Sequence, residues 1–144
     1  MNPYFERKIL DADPIDLVRI LHQRAIACIK EAREHLATGK IEARSKAITN
    51  AYAVVTELDN ALRPDVSREL VDQLQSLYRF VQQSLLDANL RQVDKPLADA
   101  QGVLGTLLEG WNGVAEAAEQ RSEVAAASYA SANTNNVVRM TVSA

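Results

Sequence analysis

The sequence predicts an all-α protein: an antiparallel four-helix up-down bundle with an extended N-terminal arm and a C-terminal tail that is disordered or partly helical. Apolar residues recur at three- and four-residue steps in four separate stretches, which is the period of amphipathic helices. Only five Gly and four Pro occur in 144 residues, too few for the turns of a β-sandwich. Short turns separate the four stretches, and short connections favour antiparallel neighbours.

The domain organisation follows from where this pattern starts and stops. Residues 1–121 are expected to form the helical bundle, and residues 122–144 a low-complexity tail rich in Ala, Ser, Thr and Asn. Residues 1–12 carry apolar side chains without a clean period, so they are expected to form an extended arm that docks on the bundle. The apolar residues of the arm are Tyr4, Phe5, Ile9 and Leu10.

The first predicted helix begins at about Pro14. Asp13 can cap its free backbone amides, and Pro14 suits the first turn. Gly39 follows the last apolar position and can take the left-handed conformation that ends a helix. The apolar stripe of this helix consists of Val18, Leu21, Ala25, Cys28, Ala32 and Leu36.

The second predicted helix starts near Lys40 and ends by about Arg63, because Pro64 disfavours an α conformation in the residue before it. Its stripe repeats at seven-residue intervals, as in a bundle. Either Asp65 or Ser67 is expected to cap the third helix, which runs to about Arg91. The seven-residue stripe consists of Ile41, Ile48, Val55 and Leu62.

The third helix carries more apolar residues than one face can hold. One stripe forms a core seam, and a second set is rotated from it around the helix axis. A helix that is apolar on two faces either lies centrally in a bundle or leaves one face for a partner. The seam consists of Leu74, Leu77, Val81, Leu85 and Ala88, and the second stripe of Val71, Tyr78 and Leu86.

The fourth predicted helix starts with Asp94 as its cap and Pro96 in its first turn. Its stripe alternates steps of three and four residues throughout. Four glycines lower its intrinsic helicity by roughly 1 kcal/mol each relative to alanine, so packing must hold it. The stripe consists of Leu97, Ala100, Leu104, Leu107, Trp111, Val114 and Ala118.

Composition excludes several classes of function. A net charge of −3 and a pI near 5.4 argue against nucleic acid as a partner. The single cysteine, Cys28, cannot form an internal disulfide, and we expect a cytoplasmic protein without membrane insertion. Glu31 and His35 are too isolated to predict a metal site, and no phosphate loop or nucleophile motif occurs. We therefore expect no enzyme, no cofactor and no metal.

Residues 74–89 resemble the signature of the FliS family of flagellin export chaperones. The matching residues are Leu74, Leu77, Tyr78, Phe80, Val81, Leu85, Ala88 and Asn89. Upstream, Asn2-Pro3-Tyr4 and Ala12-Asp13-Pro14 resemble the N-terminal run of the family, and the resemblance covers about residues 2–114. The chain departs from the family at His22, where a tyrosine is common, and around Lys8, where an aromatic residue is common.

The resemblance implies an export chaperone that binds the C-terminal helical segment of flagellin in the cytoplasm. It would prevent premature polymerisation and deliver flagellin to the flagellar type III secretion apparatus, whose export-gate components would be further partners. We expect a monomer or weak dimer. Taken on the residues alone, Tyr78 suits a partner contact and a core position equally, and Asn89 most simply bonds a neighbouring turn. The client-binding residues predicted are Tyr4, Leu10, Tyr52, Val71, Tyr78, Leu86 and Asn89.

Two alternatives accompany this interpretation. The surplus apolar face would also suit a self-associating structural bundle with no flagellin client. Two roles also stay open for the arm: it lies in the client groove as a replaceable lid, or it holds the client itself. The lid predicts that removing the arm raises client affinity, and the second role predicts that it lowers client affinity.

Overall fold

The computed structural model describes residues 13–62 and 67–143 together with Pro3, with side chains described as far as residue 131. The two long ranges form four helices, α1 (Pro14–Ala37), α2 (Ile41–Asn60), α3 (Arg68–Arg91) and α4 (Lys95–Ser143). No strand occurs in these ranges. The all-α fold class is therefore confirmed. Apart from Pro3, the predicted arm, including Tyr4 and Leu10, lies outside the described residues.

Local capping explains where α1 begins and ends. The Asp16 backbone N–H donates to Asp13 Oδ1 at 2.9 Å, and Pro14 occupies the first turn. After Thr38, Gly39 takes a φ of 70°, a conformation that costs a residue without a Cβ very little. Both signals were expected from the sequence, and both are confirmed.

The start of α3 is fixed by Ser67, whose Oγ accepts from the Leu70 N–H at 3.3 Å. Asp65, the alternative cap, lies outside the described residues. At the other end Gln92 takes a φ of 57°, and its N–H donates to the Ala88 carbonyl at 2.9 Å. A non-glycine residue in this conformation is uncommon, and the sequence does not predict it.

Side-chain hydrogen bonds show that neighbouring helices run in opposite directions. Ser45, near the start of α2, donates to Asn89 near the end of α3 at 3.0 Å. Arg33, near the end of α1, donates to both carboxylate oxygens of Asp94 at 2.8 and 2.9 Å and to Gln101 of α4 at 2.9 Å. These pairings fit the predicted up-down arrangement.

The core is built from the predicted stripes of all four helices. Burial of these side chains is the main source of stability, at about 25 cal/mol per Å² of apolar area. The stripe of α1 is buried over its middle and α4 contributes its first three stripe residues. The buried cluster consists of Leu21, Ala25, Cys28, Ile29, Ala32, Ala47, Ile48, Ala51, Val55, Leu58, Leu74, Tyr78, Val81, Leu85, Ala88, Leu97, Ala100 and Leu104.

Three expected core positions differ from this pattern. Ile41 is 58% exposed, although the seven-residue repeat places it on the core face of α2. It is the first residue of the helix, so the core ends before reaching it. Leu77 of α3 is 37% exposed. Val114 of α4 is 43% exposed. The prediction that these three residues belong to the core is wrong.

The chain divides into two compact units, Met1–Trp111 and Asn112–Ala144. The second unit is helical up to Ser143, which corresponds to the partly helical alternative for the tail. Val124 and Tyr129 are 66% and 74% exposed, so neither is packed in this unit. The predicted boundary between residues 121 and 122 stays a prediction.

Candidate functional site

An open apolar groove lies between α3 and α4, within the first unit. Its volume is about 580 Å³. Two large side chains of α3 form one wall, and six residues of α4 form the other. The lining residues are Leu77, Phe80, Ala98, Asp99, Gly102, Val103, Thr106 and Leu107.

The groove is open because its α3 wall points away from the core. Leu77 and Phe80 are 37% and 44% exposed. On the opposite wall Gly102 leaves free space, since a Cβ placed there would meet nothing within 4 Å. Solvent-exposed leucine and phenylalanine side chains around an open space are typical of a docking surface for an apolar partner.

The charge at the groove is small. Asp99 is the charged lining residue, and its two carboxylate oxygens accept from Lys95 Nζ at 3.0 and 3.2 Å. This pair is one helical turn apart and solvent-exposed, so it contributes little to stability. A partner would therefore be held by apolar contact rather than by attraction between opposite charges.

A series of buried hydrogen bonds lies beside the groove. The Tyr78 hydroxyl lies 3.2 Å from His22 Nε2, and His22 Nδ1 lies 2.8 Å from the Val18 carbonyl oxygen. His22 is fully buried and Tyr78 is 1% exposed. Their rings pack at a tilt, with centroids 5.8 Å apart. These hydrogen bonds thus join α1 to α3.

The chemistry of each group decides which atom donates and which accepts in these hydrogen bonds. A carbonyl oxygen only accepts, so His22 Nδ1 carries the proton and donates to Val18. Burial lowers the pKa of His22, so the imidazole is neutral and its Nε2 is an acceptor. The Tyr78 hydroxyl therefore donates to His22, and its oxygen remains free to accept.

Two further groups act on Tyr78. Burial raises the pKa of its phenol to about 12, a hydrogen bond from the Trp111 side chain opposes the rise, and the charge of Asp59 adds to it. Asp59 Oδ1 is buried and has no hydrogen-bond partner among the described residues. Trp111 of α4 and Asp59 of α2 therefore lie near the phenol, while the hydrogen bonds of Tyr78 and His22 stay between α1 and α3.

None of the predicted client-binding residues that the structure describes lines the groove. Tyr52 and Val71 are half-buried, and Tyr52 packs against the core. Leu86 is 56% exposed but does not line the groove. Asn89 accepts from Ser45, which fits the structural role that the residues alone favoured.

The prediction that Tyr78 faces outward while Leu77 faces inward is wrong. On a helix that turns 100° per residue, the buried face of α3 is centred on Leu74, Val81 and Leu85. Tyr78 lies about 40° from that centre on one side, and Leu77 lies about 60° from it on the other side. Tyr78 therefore points into the core, and Leu77 lies at its edge toward α4. The three- and four-residue spacing of the sequence places both Tyr78 and Leu77 near the seam, but it does not decide which of the two is buried.

Several groove residues were missed as contacts. Phe80 was noted only as part of the family signature, and Val103 of α4 was not considered. Gly102 was counted among the glycines that lower helicity, whereas it borders open space at the groove. The available signal was Phe80 itself. This large aromatic residue lies well away from the buried face of α3, on a part of the helix surface that is otherwise polar.

Two further features of the described part of the chain bear on function. Residues 13–62 and 67–131 contain no group of three side chains that could hold a metal ion. None of the described helices combines the length and the apolar character needed to cross a membrane. Cys28 is buried, and burial raises the pKa of its thiol, which keeps it protonated.

Comparisons with known proteins agree with this architecture. Residues 1–118 match the family model described as flagellar protein FliS. The chain is 27% identical over 110 residues to the flagellar secretion chaperone FliS of Salmonella typhimurium, covering 74% of this chain and 79% of that protein. It is 26% identical over 109 residues to the flagellar secretion chaperone FliSB of Pseudomonas aeruginosa, covering 76% of this chain and 86% of that protein.

A solved structure supports the fold independently. The crystal structure of a flagellar chaperone from bacteria superposes with a TM-score of 0.68 at 22% sequence identity. The match covers 78% of this chain and 95% of that chain. The helical bundle is therefore shared over nearly the whole length of the solved protein.

Proposed function

Because this chain belongs to the FliS family of flagellar secretion chaperones, we propose that it is a cytoplasmic export chaperone for flagellin. It binds the C-terminal helical segment of flagellin and prevents that segment from polymerising early. It then assists delivery to the flagellar type III secretion apparatus, where export-gate components are its further partners. The observation that carries the proposal is the apolar groove between α3 and α4 in a member of this family.

The groove suits an amphipathic segment for three reasons. Its walls present exposed apolar side chains, so a client helix that buries its own apolar face there removes both surfaces from water. Gly102 allows a client backbone or a large side chain to approach α4 closely. The lining carries a single charged residue, Asp99, already bonded to Lys95. Binding of this kind depends weakly on salt, because few charges take part.

A client that is disordered when free must be ordered on binding, which costs part of the interaction free energy. A groove of this size covers only a short helical stretch, so further contacts along the chaperone are expected. Leu86 and Leu90 of α3 are exposed apolar residues outside the groove that could contribute to them. We keep Tyr52, Val71 and Asn89 as predictions for such secondary contacts.

The test of this function is co-purification of the full chain with flagellin that carries or lacks its C-terminal segment. We expect an equimolar complex with the complete flagellin and none with the truncated one. Equal recovery of both flagellins would contradict recognition of the C-terminal segment. Recovery of neither, with the chaperone folded, would contradict flagellin as the client.

The same purified samples test the alternative of a self-associating bundle. Exposed Leu86 and Leu90 are the surface residues that favour it. Size measurement by light scattering separates the two functions: a tight dimer that persists unchanged with flagellin present supports the structural bundle. A monomer or weak dimer that converts to the complex supports the chaperone.

A further inference from the structure

We propose that Arg33 of α1 is a positioning residue for the client, because it fixes the rotation of α4 and so the direction in which the α4 wall of the groove faces. Its Nε and Nη2 donate to the two carboxylate oxygens of Asp94 at 2.8 and 2.9 Å, and its Nη1 donates to Gln101 Oε1 at 2.9 Å. Arg33 does not line the groove, so its effect on a client passes through α4. This inference rests on the proposed function only where client affinity is the measured quantity.

The two acceptors of Arg33 enclose part of the α4 wall. Asp94 lies immediately before α4, and Gln101 lies about two helical turns further along the chain. Ala98 and Asp99 lie between these acceptors, Gly102 follows directly, and all three line the groove. The wall residues therefore belong to a segment that is bonded to α1 at both of its ends.

The bonds to Arg33 and the α3 wall lie on opposite sides of α4. At 100° per residue, Gln101 and Val103 are about 160° apart around the helix. Gln101 accepts from Arg33 of α1, whereas Val103 lines the groove together with Leu77 and Phe80 of α3. A rotation of α4 that breaks the bond of Gln101 thus also turns Val103 relative to the α3 wall.

The apolar core holds α4 against the bundle but constrains its rotation less. The first half of α4 buries Leu97, Ala100 and Leu104. The hydrophobic effect that drives this burial is non-directional, whereas a bidentate arginine–carboxylate pair has a fixed, planar geometry. The three hydrogen bonds of Arg33 therefore define the rotation of α4 more narrowly than its apolar contacts do.

The partial exposure of this ion pair separates positioning from stability. The side chains of Arg33 and Asp94 are 36% and 49% exposed. An ion pair with this much access to water contributes little to the free energy of unfolding. Loss of Arg33 should therefore leave the bundle folded, so a change in client affinity reports the geometry of the groove.

The variants for the experiment are Arg33→Gln, Asp94→Asn and the two combined, each in the full chain. Asp94→Asn leaves one acceptor oxygen in place of two. Arg91→Gln is the matched control, because it breaks an arginine–carboxylate pair that lies within α3, between Arg91 and Asp87 at 2.9 Å. The control thus removes the same kind of charge without touching the link between α1 and α4.

The rotation of α4 is measured by pulsed electron paramagnetic resonance. Nitroxide labels on Gln83→Cys of α3 and Lys95→Cys of α4, both at exposed positions, report the distance between the two helices. Lys95 lies about 180° around α4 from the buried Leu104, so its label moves sideways when the helix rotates. Cys28 is buried, so the labels attach at the introduced cysteines. Client affinity is measured on the unlabelled chains with a flagellin C-terminal peptide.

We expect Arg33→Gln and Asp94→Asn each to broaden the α3–α4 distance distribution and to raise the dissociation constant of the peptide about fivefold. The combined variant should show no larger effect than Arg33→Gln alone, because both changes remove the same pair. Arg91→Gln should leave the distribution unchanged and the dissociation constant within about twofold.

Other outcomes overturn the inference. A distribution that stays narrow in Arg33→Gln, or one that broadens equally in Arg91→Gln, means that Arg33 does not fix α4. Additive effects in the combined variant mean that Arg33 and Asp94 act separately rather than as a pair. A selectively broadened distribution with unchanged peptide affinity means that the rotation of α4 does not position the client. If the peptide fails to bind the wild-type chain, the proposed function fails, and the distance measurement alone decides whether Arg33 fixes α4.

Discussion

The two sides of α3 differ in how they are held. The side toward α2 is closed by two side-chain hydrogen bonds, Ser45–Asn89 at 3.0 Å and Thr56–Gln82 at 2.9 Å. The side toward α4 leaves Leu77 and Phe80 exposed at an open groove. Hydrogen-bonded polar pairs fix the contact between α3 and α2. Exposed apolar side chains leave the side of α3 toward α4 available to a partner. One helix thus serves both as part of the hydrogen-bonded frame and as a wall of the proposed docking groove.

The largest expected effect separates Tyr78 from its neighbour Leu77. Tyr78→Ala should lower the free energy of unfolding by about 3 to 5 kcal/mol, because it empties a buried aromatic position. Leu77→Ala should cost less than about 1.5 kcal/mol, since the side chain is partly in water and removes less apolar area. Chemical denaturation of both variants measures the difference. Equal costs would mean that the core and the groove wall cannot be assigned to these two residues.

The next effect tests the closed side. Gln82→Ala removes the donor to Thr56 Oγ1 and should cost about 0.5 to 1.5 kcal/mol of stability. Gln83→Ala is its control, because it makes the same change at the adjacent, exposed position of α3. Denaturation midpoints of the two variants give the comparison. If Gln83→Ala costs as much as Gln82→Ala, the hydrogen bond to α2 does not hold this side.

A smaller effect is the pH dependence that His22 confers. Burial lowers the pKa of His22 in the folded chain below its ordinary value of 6.5, so the unfolded chain binds more protons between these two values. Stability then rises with pH in that window and falls as the pH drops below about 6.5. The groups facing the ring and its partner are Tyr78 of α3, Asp59 of α2 and Trp111 of α4.

The measurement is the unfolding midpoint at pH 7.5 and 5.5 for the wild-type chain and for His22→Phe. Both chains keep His35 and all carboxylates, so the difference between their pH slopes isolates His22. We expect the slope to be smaller in His22→Phe. An unchanged slope would show that protonation of His22 is not coupled to unfolding.

Much of this architecture could be predicted from the sequence, since it depends on local signals. Asp13, Pro14 and Gly39 mark the ends of α1 through capping and left-handed backbone, and the apolar period gives the helices. The family signature added the functional class. These features depend on residues that are close together in the chain.

The site could be predicted only in part, because it depends on distances between helices. The sequence indicated that α3 has surplus apolar residues, but it did not decide which side stays open. Tyr78 and Leu77 lie on opposite edges of one seam, and they are distinguished by the neighbouring helices: Tyr78 bonds to His22 of α1, whereas Leu77 borders the open groove at α4. The pairing of Tyr78 with His22, 56 positions apart, has no local signal either.

Gly102→Leu tests most directly whether the client docks in the groove between α3 and α4. The added side chain enters open space at the groove, so it should fill the site without disturbing the core. Gly113→Leu is the matched control: the same change on the same helix, at an exposed glycine that does not line the groove and has the same open surroundings.

Isothermal titration of both folded variants with the flagellin C-terminal segment gives the answer. We predict that Gly102→Leu weakens binding by at least about tenfold, equivalent to roughly 1.4 kcal/mol, while Gly113→Leu binds as the wild-type chain does. Wild-type affinity in Gly102→Leu would place the client elsewhere and contradict the account.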